Sequence, residues 1–326
     1  MNRRDFVTLL GGTAAAWPLA ARAQQGGAPV IGYLNPETPA ANADRLRLFL
    51  QGLSEAGYVA GRNVSIEFRS ADDSYGRLPE MAAELAHLRP AVIFTPGVPA
   101  TTAAKAATAT VPIVFLMGAD PVASGLVASL NRPGANLTGV STLSAALGQK
   151  QVELLHELAP AATVLALLIN PENPSAEAVT GEVEGAARKL GLMLRLLRAR
   201  TERDLDTAFA NFDELKAGGL IISNEGLFLN RNRQLAALTV RHAVPAIHVV
   251  PEFAAAGGLM SYGGSGVEAA HQVGAYIGRI LKGERPGDLP VQQVTKFELI
   301  LNMKTAKALG LSVPPILQAT ADEVIE

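Results

Sequence analysis

The sequence predicts an α/β protein with two doubly wound lobes, each built on a parallel sheet and joined to the other by a multi-strand hinge. Short apolar runs alternate with amphipathic stretches of helix length, which is typical of parallel strands linked by crossover helices. This alternation begins at Val30 and begins again after the segment 140–142, whose small polar residues suit a hinge. With 326 residues, the chain is long enough for two domains of ordinary size.

Five strands are predicted in the first lobe, at 30–34, 64–69, 91–95, 112–116 and 136–140. The run at 112–116 is apolar and β-branched, which favours a strand buried on both faces. The helix predicted at 42–56 carries Leu46, Phe49, Leu50 and Leu53 on one face, at the i, i+3, i+4, i+7 spacing. Further helices are predicted at 78–85, 100–108 and 122–130.

The second lobe repeats this pattern. Its predicted strands are at 164–169, 192–197, 219–222, 245–249 and 259–262. Its predicted helices are at 145–158, 175–190, 202–216 and 229–242. The segment 262–264, which ends in two glycines, favours a crossing back to a helix at 267–281 in the first lobe, since glycine tolerates large backbone rotations. A third crossing is predicted at 292–296, before a strand at 297–301 and a helix at 303–309.

The predicted boundaries follow from these crossings. The N-terminal lobe comprises residues 29–140 and 265–291, and the C-terminal lobe comprises residues 142–262 and 297–326.

Residues 1–23 are predicted to be an export signal of the twin-arginine (Tat) type. Arg3 and Arg4 precede a mildly apolar stretch, and 21–23 forms an A-x-A cleavage site. A Sec signal and a retained anchor are the alternatives. The apolar stretch is too short to span a bilayer stably, so the mature protein is expected in the periplasm without stable membrane insertion.

The composition excludes several classes of function. The formal charge is −2 with no basic block, so nucleic acid is not an expected partner. There is no cysteine, which excludes disulfides, thiolate nucleophiles and Cys-ligated metals. No G-x-G-x-x-G follows the first strand, there is no G-x-S-x-G elbow, and no two histidines are spaced i, i+4. The sequence therefore predicts no catalytic residues, no cofactor and no metal.

Residues that follow the predicted strands are the candidate ligand contacts, because open α/β sheets bind ligands beyond the carboxyl ends of their strands. In the first lobe the candidates are Asn35, Val98, Thr101, Thr102 and Asp120. Helix amides after 96–99, together with the two threonine hydroxyls, would suit a carboxylate. The alternative is that Thr101 and Asp120 only cap helices.

In the second lobe the candidates are Asn170, Asn173, Ser175, Glu225, His248 and Tyr262. A cleft-facing Glu225 carboxylate would pair with a ligand amine, but a solvated loop charge is the alternative. Turn formation alone explains the two asparagines, and helix capping explains Ser175. His248 either presents a donor or acceptor or is a buried structural histidine, and Tyr262 either stacks on an aromatic ligand or packs within the protein.

Four segments resemble one family over essentially the whole mature chain. They are GLSEAGYVAGRNVSIEFR (52–69), PIVFLMGADPVASGLVASLNRPGANLTGVS (112–141), FAAAGGLMSYG (253–263) and TKFELILNMKTAKALGLSVPP (295–315). The chain resembles the ABC-transporter substrate-binding proteins related to the tryptophan/tyrosine-binding lipoproteins, which have the type I periplasmic binding protein fold. Relatives often have Thr at Val98, Asp at Glu225 and Tyr at His248, so these positions depart from the family pattern.

The resemblance implies a non-enzymatic receptor that delivers a small solute to an ABC permease driven by a cytoplasmic ATPase. The solute is expected to be an amino acid or an aromatic or carboxylate compound, held between the lobes by hinge closure. Two other functions stay open: a ligand sensor that docks to a receptor partner, and an enzyme on a Rossmann-like fold.

Overall fold

Two separate sheets organise the molecule, and both consist mainly of parallel strands. The computed structural model describes residues 27–40, 42–142 and 147–326, so the predicted signal at 1–23 and the predicted helix start at 145 lie outside the described residues. Among those residues, no helix is both long and apolar enough to cross a membrane.

The first α/β unit is built on a six-stranded, all-parallel sheet. Its strands are β1 (Val30–Asn35), β2 (Ser65–Ser70), β3 (Val92–Pro96), β4 (Ile113–Met117), β5 (Leu137–Ser141) and β11 (Gln292–Gln293). They lie in the order β11-β5-β4-β3-β1-β2. Its helices are α1 (Ala43–Glu55), α2 (Leu78–His87), α3 (Val98–Ala107) and α10 (Gly266–Leu281).

The second α/β unit is built on a seven-stranded sheet. Its strands are β6 (Val164–Ile169), β7 (Met193–Arg198), β8 (Leu220–Ile222), β9 (Ala246–His248), β10 (Met260–Gly264), β12 (Phe297–Asn302) and β13 (Glu323–Ile325). They lie in the order β13-β12-β10-β9-β8-β6-β7, and only the pair β10–β12 among them is antiparallel.

Within the described residues, eight helices belong to the second unit. They are α4 (Leu147–Leu158), α5 (Ala176–Lys189), α6 (Glu202–Ala210), α7 (Gly226–Leu229), α8 (Asn232–Arg241), α9 (Pro251–Ala255), α11 (Met303–Ala308) and α12 (Pro315–Thr320). In both units, helices cover both faces of the sheet, so alternate side chains of one strand enter different cores. In β4, Ile113 and Phe115 pack into one core and Val114 into the other.

The chain passes between the two units three times. It leaves the first sheet after β5, returns between β10 and α10, and leaves again between β11 and β12. The predicted crossings at 140–142, 262–264 and 292–296 lie within or next to these passages. Residues 143–146 of the first passage are outside the described residues.

The helix predicted at 122–130 is wrong, because the backbone there forms turns. Asp120 begins the first turn as expected: its Oδ1 accepts hydrogen bonds from the amides of Val122 at 2.8 Å and Ala123 at 3.1 Å. Gly125 then adopts a φ of 66°, in the left-handed region, and this conformation ends the turn before a helix can propagate. Asp120 therefore caps a turn and not a helix.

Other differences concern short or interrupted elements. The helix predicted at 229–242 is observed as α8, which begins later because Arg231 leaves the helical region with a φ of −116° and a ψ of 26°. The short helix α7, which precedes Arg231, was not predicted. The helix predicted at 202–216 ends at Ala210 and continues as the 3-10 segment Phe212–Leu215. The elements β11, α9, α12 and β13 were not predicted, since two to six residues show no usable periodicity.

Gly52 of α1 allows α10 to approach closely, and Gly52→Ala is expected to destabilise the fold. A β-carbon at this position would lie 2.2 Å from the main-chain oxygen of Ala270. We expect the free energy of unfolding to fall by about 1–3 kcal/mol, the usual cost of overpacking. Urea denaturation measures it. Gly181→Ala in α5 is the control: it has open space around it, so it should be neutral or slightly stabilising.

Candidate functional site

A cavity of about 170 Å³ lies between the two units, beyond the carboxyl ends of strands from both sheets. On the first unit its wall comes from residues that follow β1, β3 and β4, and on the second from residues that follow β6, β8 and β9. We call this cavity the chamber. It lies where ligands are bound by open α/β sheets.

Three of the predicted contacts line the chamber: Val98, Asn173 and Ser175. Val98 is the first residue of α3. The Oδ1 of Asn173 accepts hydrogen bonds from the amide of Ser175 at 2.9 Å and from its hydroxyl at 2.8 Å, so the loop after β6 is internally braced. Their contact with a ligand stays a prediction.

Three candidates of the first unit do not line the chamber. Asn35 is completely buried, and its Nδ2 donates to the main-chain oxygen of Glu37 at 2.6 Å. Thr101 is also completely buried, and its hydroxyl donates to the main-chain oxygen of Gly97 at 2.7 Å. Thr102 is exposed away from the chamber wall. The two threonine hydroxyls therefore do not converge on a common anion site.

Asp120 and Tyr262 also lie off the chamber wall. Asp120 is exposed, and its carboxylate is used by the turn described above. The ring of Tyr262 stacks on Phe297 with centroids 5.9 Å apart, and its main-chain oxygen accepts a hydrogen bond from Nε2 of Gln151 at 3.1 Å. Tyr262 thus packs within the protein beside the second passage.

Glu225 lies directly behind the chamber wall and is 2% exposed. Its Oε1 accepts hydrogen bonds from the hydroxyl of Tyr75 at 2.5 Å and from Nδ2 of Asn170 at 3.1 Å, and its Oε2 accepts one from Nδ2 of Asn173 at 2.5 Å. The amide of Leu227 also donates to Oε1 at 3.3 Å, so Glu225 caps α7. The predicted residues Asn170, Asn173 and Glu225 therefore form one hydrogen-bonded group.

Among the described residues, Tyr75 is the one donor to Glu225 that belongs to the first unit, and no sequence pattern indicated it. It lies in the 3-10 segment Tyr75–Arg77, before α2. Burial and the neighbouring Glu225 carboxylate raise the pKa of the Tyr75 hydroxyl, so it stays protonated and donates. The Tyr75–Glu225 hydrogen bond thus joins the two units beside the chamber.

A second polar contact between the units lies near the first. Asp73 accepts a hydrogen bond from Nδ2 of Asn230 at 3.4 Å, and its Oδ2 is 3.5 Å from Nη2 of Arg231. The same Nη2 is 3.3 Å from Oε2 of Glu202. Asp73 has a φ of 62°, a left-handed conformation that aspartate tolerates better than most residues.

Glycines allow the closest approach of the two units. A β-carbon at Gly118, after β4, would lie 1.9 Å from Nδ2 of Asn224, after β8. A β-carbon at Gly226 would lie 3.2 Å from Oε1 of Glu37. Gly118 and Asn224 both line the chamber. In the sequence, only their positions in loops after strands indicated that Gly118 and Asn224 would face the cavity.

An ion pair that was not predicted also lines the chamber. Nη1 of Arg45 lies 2.7 Å from both carboxylate oxygens of Glu37. Burial raises the pKa of the Glu37 carboxyl, although Arg45 opposes this shift by favouring the charged form. Nothing in the sequence spacing indicates the pair, because Glu37 is in a loop and Arg45 is on α1.

His248 is completely buried at the end of β9 and does not line the chamber. Its ring packs edge-on against Phe253 with centroids 5.7 Å apart. Burial lowers the pKa of His248 from 6.5 to about 3, although the carbonyls of Ile222 and Phe228 oppose the shift. His248 is therefore a buried structural histidine, which was the alternative to a ligand contact.

Comparisons with known proteins agree on one family. The family model described as ABC transporter substrate binding protein matches residues 38–325. The chain is 24% identical over 263 residues to a tyrosine-binding protein of Clostridioides difficile (strain R20291), covering 81% of this chain and 75% of that protein.

Two solved structures have the same fold. A conserved domain protein from Vibrio cholerae has a TM-score of 0.85 and 25% identity, covering 91% of this chain and 100% of that one. The ABC domain in complex with L-Trp from Streptococcus pneumonia has a TM-score of 0.84 and 22% identity, covering 92% of this chain and 100% of that one. With further periplasmic binding proteins of similar structure, they confirm the predicted type I fold class.

The burial of His248 predicts a pH-dependent stability. Its folded pKa is depressed to about 3 from 6.5, so the unfolded chain binds the extra proton and stability falls as the pH drops below about 6.5. The loss is at most about 1.4 kcal/mol per pH unit. Urea denaturation at pH 7.5 and 5.5 measures it. His248→Gln should flatten this dependence, whereas the exposed control His87→Gln should keep it; equal slopes in all three proteins would contradict the assignment.

Proposed function

Because the chain belongs to the ABC transporter substrate-binding protein family, we propose that it is the periplasmic receptor of an ABC importer. In this proposal the Tat-type signal at 1–23 directs export, and the mature protein delivers its solute to a permease that is driven by a cytoplasmic ATPase. The observation that carries the proposal is the chamber. Residues after the strands of both units form its wall, so neither unit alone would enclose it.

The proposed movement is a hinge closure of two lobes, residues 29–140 with 265–291 and residues 142–262 with 297–326. The three passages between the units would act as the hinge, since a few loop residues are able to absorb the rotation. Gly264 lies at the second passage and lines the chamber. A solute in the chamber would therefore lie beside a residue whose backbone is able to rotate.

The contacts between the units support a closed arrangement. The Tyr75–Glu225 hydrogen bond and the Asp73–Arg231 pair both join the two units. Separating the lobes would leave the buried Glu225 carboxylate with one donor fewer, although water would then reach it. The closed form is therefore stabilised by polar contacts as well as by any solute between the lobes.

The charges beside the chamber favour an amino acid as the solute. The donors to Glu225 are all neutral groups, and no described lysine or arginine forms an ion pair with it. An unbalanced buried carboxylate favours a positive group nearby, such as an α-ammonium. Asn173, Ser175 and Asn224 supply polar atoms on the same wall. The ligands named for similar proteins, tyrosine and L-Trp, are amino acids with aromatic side chains.

The first test is a binding screen of the purified mature chain. Amino acids, aromatic acids and small carboxylates are tested by thermal shift, because a ligand that binds only the folded state raises the unfolding temperature. Aromatic amino acids are expected to raise it most, and calorimetry is expected to show 1:1 binding with the solute recovered unchanged. A folded protein that responds to none of these classes, or one that consumes its ligand, would contradict the proposal.

Tyr75→Phe is expected to weaken solute binding by impairing closure. Loss of a hydrogen bond to a charged group costs about 1.5–3 kcal/mol, so the dissociation constant should rise by about one to two orders of magnitude. Calorimetry measures binding, and small-angle scattering with the solute present measures closure. Tyr58→Phe is the matched control, since Tyr58 packs against the core of the first unit and does not line the chamber. If both variants bind like wild type, the Tyr75–Glu225 bond does not contribute to capture.

A further inference from the structure

Arg45 uses only part of its guanidinium within the protein. Nη1 contacts Glu37 and lies 3.5 Å from Oδ1 of Asn42. Nε and Nη2 have no hydrogen-bond partner among the described residues, and neither is a fully buried atom. Nε and Nη2 form one edge of the planar fork, which matches the two oxygens of a carboxylate. The side chain is 24% exposed.

The buried carboxylate of Glu37 holds the Arg45 side chain in position. Glu37 holds Nη1 with both carboxylate oxygens, and its own side chain is 3% exposed. The main-chain oxygen of Glu37 accepts hydrogen bonds from Nδ2 of Asn35 and from the hydroxyl of Ser70. The loop, the carboxylate and the guanidinium are thus ordered before any solute arrives, which reduces the entropic cost of binding.

Arg45 stands between the chamber and a second, larger cavity of about 1130 Å³. We call this second cavity the groove. The two cavities share six lining residues: Arg45, Leu116, Leu229, Val250, Gly264 and Gly266. The chamber and the groove are therefore neighbours that share part of their walls.

The groove offers apolar surface close to Arg45. Leu48 lies on α1 within one turn of Arg45, and Val267, which is 49% exposed, lies at the start of α10. Pro251 and Ala255 of α9 also line the groove. Glu252 of α9 also acts on Arg45, but at a distance beyond an ion pair.

The chamber is small for a complete ligand site. Its volume of about 170 Å³ is below the roughly 300–1,000 Å³ of ordinary ligand pockets. A solute with an aromatic or long aliphatic body therefore needs part of the groove as well.

We infer that Arg45 is a specificity-determining residue that binds a carboxylate of the solute, whose apolar body extends from this point into the groove. The inference rests on the proposed receptor function and deepens it by naming the solute class: carboxylates with an apolar body, their amino group, if present, on the chamber side. Arg45 would contact the anion through Nε and Nη2, while Nη1 stays with Glu37.

Acid and amide pairs test the role of Arg45. The probes are L-tryptophan with L-tryptophanamide, and indole-3-propionate with indole-3-propionamide, each titrated into the mature protein by calorimetry. For wild type, at least one of the two acids should bind, and about 10-fold or more tightly than its amide, as expected for a charge-assisted contact. The second acid shows whether the amino group is also needed.

Variants separate the charge from the fold. Arg45→Met alone would leave the buried Glu37 unpaired, so the test variant is Glu37→Gln/Arg45→Met, and Glu37→Gln alone is the matched control. The control should keep the preference for the acid, and the double variant should lose it. Thermal unfolding verifies that both variants are folded.

The outcomes that would contradict the role of Arg45 differ from those that would contradict the receptor proposal. If neither acid binds, or if the double variant keeps the acid preference, Arg45 does not read a carboxylate. In either case, 1:1 binding of another solute from the thermal-shift screen would leave the receptor proposal intact.

Val267→Asp tests the path of the apolar body. This exposed position tolerates a charge, which should weaken binding of the bound acid by about 5-fold or more if its body passes Val267. Val59→Asp is the control, since Val59 is also exposed and lines neither cavity. Equal binding by both variants would show that the body does not occupy the groove.

Discussion

A buried carboxylate has to be hydrogen-bonded, and at Glu225 the donors come from both halves of the molecule. Asn170 and Asn173 belong to the second α/β unit, whereas Tyr75 belongs to the first. The same carboxylate caps α7. This one side chain therefore holds the loop after β8, the loop after β6 and the segment that contains Tyr75, and so joins the two units. The carboxylate lies directly behind the chamber wall, between the lining residues Asn224 and Gly226.

Close approach of the backbones is the second constraint on the site. Asn224 lies against Gly118, and Glu37 lies against Gly226, so the loop after β8 contacts the loops after β4 and β1 across the chamber. A side chain larger than hydrogen at either glycine would press on a polar group of the opposite unit. The small size of the chamber follows from these contacts, because they set how far the units approach each other.

The chamber has polar groups on both sides, a buried carboxylate behind one wall and an ion pair on the other. Near Glu225, neutral amides and hydroxyls surround a negative charge. Near Arg45, one carboxylate holds part of a guanidinium and leaves the other part unengaged. A zwitterion that lies between these two ends would match both. In the proposed function, an amino acid held there would extend its side chain into the groove.

The sequence by itself determined the fold class and most of the elements, because long apolar strands and amphipathic helices carry their own periodicity. The strand at 164–169 is observed as predicted. It also determined which loops face the cavity, since that follows from strand direction, and it placed Val98, Asn173 and Ser175 on the wall. Only the tertiary structure decided the rest. It buried His248 and Thr101 and paired Glu37 with Arg45. It also brought Tyr75 to Glu225, which lies 150 positions further along the chain. Contacts of this kind depend on how the two units pack against each other. Such packing produces no periodicity or regular residue spacing in the sequence from which it could be predicted.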